Sequence, residues 1–182
     1  MLIKLFLLLC AGLFLALPHT GLRADENRKF KIVEEMYLDK EDCDLAWRIL
    51  WNAASEGSHE AFWELHNGIL NGLMPPNHAQ IGKEYNDYVD YIFLFGRHFV
   101  KKNKSIGSSS NIDYELSRVV GRLTRNKSTS VCKGYKSGSI ENCIKNLTLT
   151  GILLSERKFV EKFNKLFGSQ EKAVCISTIP GL

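Results

Sequence analysis

The stretch DLAWRILWNAASEGSHEAFWELHNGILNG, residues 44–72, decides the fold that the sequence predicts. Its apolar residues recur at intervals of three and four, which is typical of helices that bury one face. Gly57 can form a tight reversal, and Ser58 can cap a second helix. Gly72 can end that helix, and the two prolines that follow it prevent its continuation. The stretch therefore predicts two helices joined by a short turn, an αα-hairpin.

The same stretch resembles a Sel-one-like repeat, the short helix-turn-helix relative of the tetratricopeptide repeat. The matching positions, in the spacing of that family, are Ala46, Ala53, Ala54, Gly57, Ala61, Leu65 and Gly72. The resemblance covers residues 44–72 once, whereas repeats of this kind normally stack three or more units. What the resemblance implies is a hairpin that packs on neighbouring helices, in a family that usually serves protein interaction.

Apolar residues recur at helical spacing in four further segments, and strand signals are scarce. The clearest segment runs from Ser155, which can cap a helix, to Gly168, which can end one. The apolar faces are Phe30, Val33, Met36 and Tyr37; Ile81, Tyr85, Tyr88, Ile92, Phe95 and Phe99; Ile112, Leu116, Val119, Val120 and Leu123; and Phe159, Val160, Phe163, Leu166 and Phe167. Residues 139–154 fit a helix or an extended segment, and we assign a helix. The sequence predicts an all-α fold of about six helices.

Length and composition indicate one ordinary globular domain. The chain has 182 residues, of which 45% are hydrophobic and 24% are charged. These proportions exclude a collagen-like chain, low-complexity disorder and a multi-span membrane protein. Residues 25–182 are long enough to bury a core without a metal ion. We therefore predict a single helical domain over 25–182 that needs no cofactor.

Residues 1–24 are typical of a secretory signal peptide. Lys4 supplies a positive start, and the apolar run Leu5–Leu17 that follows has 13 residues. A membrane-spanning helix needs roughly 20 apolar residues, so an uncleaved anchor is the less favoured alternative. Pro18 interrupts the run, and cleavage is predicted before Asp25. The pattern predicts export to a periplasm or secretion from the cell.

Four cysteines remain after the leader is removed, and in an oxidising compartment they predict two disulfides. Three pairings are possible. We favour Cys132 with Cys143, because the glycines between them allow a tight loop, which leaves Cys43 with Cys175. No two of the four are separated by only two to four residues, so their spacing does not fit a zinc site.

The two halves of the chain carry opposite charge. From Asp25 to Phe95 there are 14 acidic and 6 basic residues, a net charge of −8, whereas from Gly96 to Leu182 there are 16 basic and 6 acidic residues, a net charge of +10. The candidate binding residues are Arg118, Arg122, Arg125, Lys127, Lys133 and Lys136. Such a basic patch would attract an acidic protein or an anionic glycan. The alternative is a solvated face that the acidic half of the same molecule balances. Export argues against nucleic acid as a partner.

Carboxylates provide the main catalytic alternative. Glu60 and Glu64 lie one helical turn apart, and Asp87 and Asp90 could serve general acid–base chemistry in the same way. These pairs would suit a small secreted glycan hydrolase. No phosphate-binding loop or nucleophile elbow accompanies them.

Histidine spacing argues against a metal site in the hairpin. His59 and His66 lie about 10 Å apart along one helix, too far to share an ion readily, and the turn at Gly57 puts Glu56 on the preceding helix.

Because the sequence shows neither a metal site nor a recognised catalytic motif, we expect an exported, non-enzymatic helical binding module. An inhibitor or immunity-type protein is one concrete form of it. The hairpin or the basic C-terminal half would meet a protein partner.

The export hypothesis predicts that the mature protein begins near Asp25 and has no free thiol. Intact mass, measured with and without reduction, should show loss of the leader and a gain of four hydrogens on reduction. Retention of residues 1–24, or four alkylatable cysteines in the unreduced, denatured protein, would contradict it.

Overall fold

A computed structural model describes residues 30–39, 42–103, 109–125, 132, 140–167 and 172–176. A helical segment over 30–38 opens the described part of the chain. Seven further α-helices follow: α1 (Cys43–Ser55), α2 (His59–Leu70), α3 (His78–Ile81), α4 (Tyr85–Lys102), α5 (Ser109–Leu123), α6 (Ile140–Leu149) and α7 (Glu156–Phe167). A 3₁₀ turn, Gly82–Glu84, joins α3 to α4. The all-α prediction is confirmed. Of the segment 139–154 the structure describes residues 140–154, and the helix there runs from Ile140 to Leu149.

Helices α1 and α2 form the predicted hairpin. Gly57 has φ of +94°, a backbone conformation that residues with a side chain rarely adopt. The Ser58 hydroxyl accepts a hydrogen bond from the Ala61 amide at 3.2 Å and so caps α2. Asp42 caps α1 in the same way, through the Leu45 amide at 2.9 Å. The turn and both caps are local features, which is why the sequence alone predicts this hairpin.

Helix α4 crosses the hairpin at very short range. Gly96 lies against the backbone of α2: a Cβ atom placed on it would be 2.9 Å from the Trp63 nitrogen and 3.0 Å from the Trp63 Cα. Only glycine allows the two helices this approach. The contact places the C-terminal end of α4 beside the hairpin turn.

Aromatic rings fill the space between the hairpin, α4 and α7. Trp47 and Trp51 of α1 stack with ring centroids 5.8 Å apart. Phe159 and Phe163 of α7 are buried, with ring centroids 4.8 Å apart. Tyr88 of α4 contacts both pairs. Of the aromatic stripe that the sequence assigns to α4, Tyr88 and Phe95 therefore belong to the core, whereas Phe99 is partly exposed and lines an opening beside the hairpin turn.

The chain end returns to the hairpin through a two-stranded antiparallel ribbon, β1 (Leu73–Met74) with β2 (Val174–Cys175). Leu73 pairs with Cys175 in its register. The Cys43–Cys175 disulfide, with Cα atoms 5.7 Å apart, fastens β2 to the start of α1. The sequence did not predict the ribbon, because two residues per strand carry no periodic signal.

The second disulfide joins Cys132 to Cys143 of α6, with Cα atoms 5.9 Å apart. Both favoured pairings are therefore confirmed. The buried face of α5 comprises Leu116, Val119, Val120 and Leu123, as its periodicity predicts. In the described part of the chain, no helix combines the length and the apolarity needed to cross a bilayer.

Two helical glycines provide a matched test of the close approach between α2 and α4. We expect Gly96→Ala to destabilise the protein by about 2–3 kcal/mol, because two backbones must separate. Gly121→Ala in α5 meets nothing within 4 Å, and alanine should stabilise that helix by about 0.5–1 kcal/mol. Urea unfolding midpoints measure both effects. Equal effects of the two substitutions would contradict the proposed packing constraint.

Candidate functional site

The basic face predicted on α5 meets acidic residues of α4. Arg122 forms a bidentate pair with Asp90, with Nε–Oδ2 and Nη2–Oδ1 distances of 2.7 and 2.6 Å. The Asp90 side chain is 10% exposed, so the pair is shielded from solvent on one side. Bidentate geometry makes this a strong charge-assisted interaction. Arg122 therefore has a structural partner within the chain.

The neighbouring arginines are also paired. Arg118 donates to both carboxylate oxygens of Glu115 at 3.2 and 3.3 Å, and an Arg125 nitrogen lies 3.8 Å from an Asp87 oxygen. Both arginines are more than half exposed. The contacts of Arg122 with Asp90 and of Arg125 with Asp87 favour the alternative of a basic face balanced by the acidic half, whereas Glu115 belongs to the basic half. Three further predicted binding residues, Lys127, Lys133 and Lys136, lie outside the described residues.

An open cleft of about 700 Å³ lies where the hairpin turn faces the end of α4. Its hairpin wall runs from Glu56 through the Gly57 turn to Glu60, and its opposite wall includes His98 and Lys102. The helix cap at Ser58 and the short distance between α2 and α4 hold these two walls together. We call this the hairpin cleft. It brings carboxylates, imidazoles and an ammonium group to one opening.

Two histidines, one on each wall, line the hairpin cleft. The ring centroids of His59 and His98 are 4.8 Å apart, and His59 Nε2 lies 3.4 Å from an oxygen of Glu156. Burial, together with the positive charge of Arg97, lowers the pKa of His98 to about 4. His98 is therefore neutral at pH 7, a hydrogen-bonding group rather than a charge.

The four carboxylates suggested for catalysis do not converge. Glu60 lines the hairpin cleft, but Glu64 hydrogen-bonds Tyr37 and Asn67, and burial raises its pKa. Asp90 pairs with Arg122 of α5, and Asp87 lies near Arg125, which follows the end of that helix. Glu56, which the sequence does not single out as catalytic, lies beside Glu60 in the cleft instead.

His66 is part of an aromatic cluster away from the cleft. Its ring centroid is 5.0 Å from Phe93 and 5.6 Å from Trp63, and burial lowers its pKa to about 4. Within the described residues, no three histidine, cysteine or acidic side chains are grouped to hold a metal ion.

A partly buried ion cluster joins α4 to α5 and α6, and sequence analysis missed it. Lys101 Nζ contacts Glu141 at 2.7 Å and Asp113 at 2.9 Å. Arg97, only 7% exposed, reaches Glu141 at 3.4 Å and donates to the Leu94 carbonyl of its own helix. Burial alone would raise the pKa of Glu141, but the hydrogen bond from Lys101 and the charge of Arg97 lower it. The two cations lie one turn apart on α4, but their acidic partners lie on other helices, so no local pattern reveals the cluster.

Comparisons with protein-family models, with curated proteins and with solved structures gave no match to this chain. The Sel-one-like resemblance of residues 44–72 stays a prediction. Function is argued below from the geometry of the described residues.

The arginine pairs predict unequal effects of two similar substitutions on stability. We expect Arg122→Gln to destabilise the protein by about 2–3 kcal/mol, because it leaves the buried Asp90 carboxylate without its partner. Arg118→Gln removes an exposed pair and should change stability by less than about 0.5 kcal/mol. Urea unfolding at pH 7 measures both. Similar small losses in the two variants would show that Arg122 is merely a solvated surface residue.

Proposed function

We propose that the chain is an exported, non-enzymatic helical binding protein that recognises a protein partner through the hairpin cleft. An inhibitor or immunity-type protein is a concrete form of this function. The observation that carries the proposal is the open polar cleft at the hairpin turn. Concave openings with a few convergent polar groups are the usual sites of recognition.

Both walls of the hairpin cleft are held in place before any partner arrives. Gly57 and the Ser58 cap determine the turn, and Gly96 holds α4 against α2. A preorganised surface loses little conformational entropy on binding. Glu56 offers acceptors, and Lys102 offers a donor, so the cleft suits a polar loop of a partner.

Two features support the exported part of the proposal. The first is the sequence pattern of residues 1–24, which predicts a leader; these residues lie outside the described part of the structure. The two disulfides are typical of proteins that fold in an oxidising compartment. A periplasmic or secreted location is compatible with both.

The internal pairing of the arginines determines which surface we favour. An acidic protein or anionic glycan bound at Arg118, Arg122 and Arg125 would have to compete with Glu115, Asp90 and Asp87. Competition with a bidentate, partly buried pair weakens the net gain from a new contact. The hairpin cleft requires no such displacement of the Arg122–Asp90 pair.

A glycan hydrolase is the second candidate, and one specific observation favours it. Glu56 and Glu60 line the same cleft, beside neutral His98. Paired carboxylates can act as general acid and base on a glycosidic bond. If this candidate is correct, the mature protein should cleave a soluble glycan substrate, and Glu60→Gln should abolish turnover while the melting temperature is unchanged.

Reversal of charge in the hairpin cleft tests the binding function. The mature protein is immobilised and used to capture proteins from extracts of its native compartment. Only proteins whose binding is saturable and is competed by free mature protein are counted. We expect Glu56→Lys/Glu60→Lys to reduce capture at least tenfold, because the partner's polar groups then meet repulsive charge.

The matched control is Glu34→Lys/Glu35→Lys, which makes the same change in net charge on exposed positions of the opening helical segment. It should capture as well as the unsubstituted protein. Equal loss in both variants would contradict recognition by the cleft. Loss confined to Arg118→Gln/Arg125→Gln would instead assign recognition to the basic face.

A further inference from the structure

A second opening, of about 420 Å³, lies between α4, α6 and the start of α7. Leu94, Ile144, Leu149 and Leu154 form its apolar walls. The backbone amide of Leu154 donates to the Tyr91 hydroxyl at 3.0 Å, which fixes the connection between α6 and α7. We call this opening the α6 groove. His98 lines both the α6 groove and the hairpin cleft, so the two are neighbours.

Arg97 lines the α6 groove and is incompletely paired. It is only 7% exposed, yet its Nε atom has no hydrogen-bond partner in the described part of the chain. Its contact to Oε2 of Glu141 is long, at 3.4 Å, whereas Lys101 contacts Oε1 of the same carboxylate at 2.7 Å. Buried cations are normally paired with well-placed acceptors. A further negative charge at the groove would therefore interact favourably with Arg97.

The rim of the α6 groove combines apolar and basic character. Leu149, which lines the groove, is 75% exposed. Lys145 lines the groove one helical turn before Leu149 and is exposed. Glu141 and Glu156 also line the groove: Glu141 is paired with Lys101, and an oxygen of Glu156 lies 3.4 Å from His59 Nε2. The rim therefore offers an uncovered apolar surface next to positive charge.

We propose that the α6 groove docks a segment of a partner protein that presents a leucine-like side chain next to a carboxylate. The apolar side chain lies against Ile144 and Leu149, and the carboxylate faces Lys145 and Arg97. Charge complementarity determines this occupant, since a purely apolar segment would leave Lys145 without an anion among the described residues and Arg97 with only its long contact to Glu141. The acidic partner expected from the basic C-terminal half thus binds at α6, away from the arginines of α5.

This inference extends the proposed function, because it names a second surface and the chemistry that the surface selects. It shares with that function only the assumption that the partner is a protein. The two can fail separately: charge reversal at Glu56 and Glu60 tests the hairpin cleft, whereas the experiment below uses purified mature protein and small probes.

Three small probes separate the two parts of the proposed contact. N-acetyl-leucine carries both the apolar side chain and the carboxylate, N-acetyl-leucinamide lacks the charge, and acetate lacks the side chain. Each is titrated into the mature protein, and the methyl resonances of Ile144, Leu149 and Leu154 are followed by NMR. We expect saturable shifts with N-acetyl-leucine, at a Kd at least fivefold lower than that of either other probe.

Leu149→Ser and Lys145→Gln, both on the rim, should each weaken binding of N-acetyl-leucine at least threefold. Neither should unfold the protein, because both side chains are exposed. The matched control is Leu70→Ser, which removes an apolar side chain of similar exposure, 65%, from the end of α2. Unchanged binding is expected there.

Any one of four results would overturn the inference. Equal binding of N-acetyl-leucinamide would show an apolar site without charge selection, and equal binding of acetate would show an anion site alone. Absence of saturable shifts at the three methyl groups, or unweakened binding by Leu149→Ser, would show that the α6 groove is not a docking site.

Discussion

The contact on which the rest of the structure depends is the approach of α2 to α4 at Gly96. A Cβ atom there would lie within 3.0 Å of the Trp63 backbone, so the two helix axes are as close as their main chains allow. This closeness brings Phe62 of the hairpin against Phe95 of α4, with ring centroids 5.4 Å apart. It also brings His98 to His59. The packing of the core and the geometry of the hairpin cleft therefore both depend on the absence of a side chain at Gly96.

Charge is segregated along the chain but balanced in space. The acidic first half contributes Asp87 and Asp90, and the basic second half contributes the arginines that pair with them. Electrostatic attraction between the halves therefore acts within the molecule before it acts on a partner. Because charge counts along a sequence do not include such pairs, a net value for one half exaggerates the charge that a partner meets.

Much of the fold could be predicted from the sequence because its determinants are local. The reversal at Gly57 and the cap at Ser58 require only neighbouring residues, and the close spacing of Cys132 and Cys143 favours their pairing. The Cys43–Cys175 disulfide then follows by elimination, although 132 residues separate its members. The β1–β2 ribbon could not be predicted, because two residues per strand carry no period.

The candidate sites were harder to predict, because each depends on side chains from separate elements. Glu60 and His98 meet in one cleft only once α4 has packed on the hairpin, and Arg97 meets Glu141 only once α6 has packed on α4. Single-element patterns, such as the arginines of α5, show which side chains share a face. They do not show which of those side chains the fold has already paired.

A contribution to the stability of the fold accounts poorly for a buried guanidinium at Arg97. Replacing a buried ion pair by apolar residues of similar volume often leaves stability unchanged or raises it, so burial of a guanidinium is weak evidence for a stabilising role. Leu94 and Ile144 line the groove with Arg97, Glu141 is held more closely by Lys101, and burial lowers the pKa of the guanidinium. A methionine would fit such surroundings with less loss of hydration. A positive charge in this place is better accounted for by the ligand that the α6 groove receives than by the fold that surrounds it.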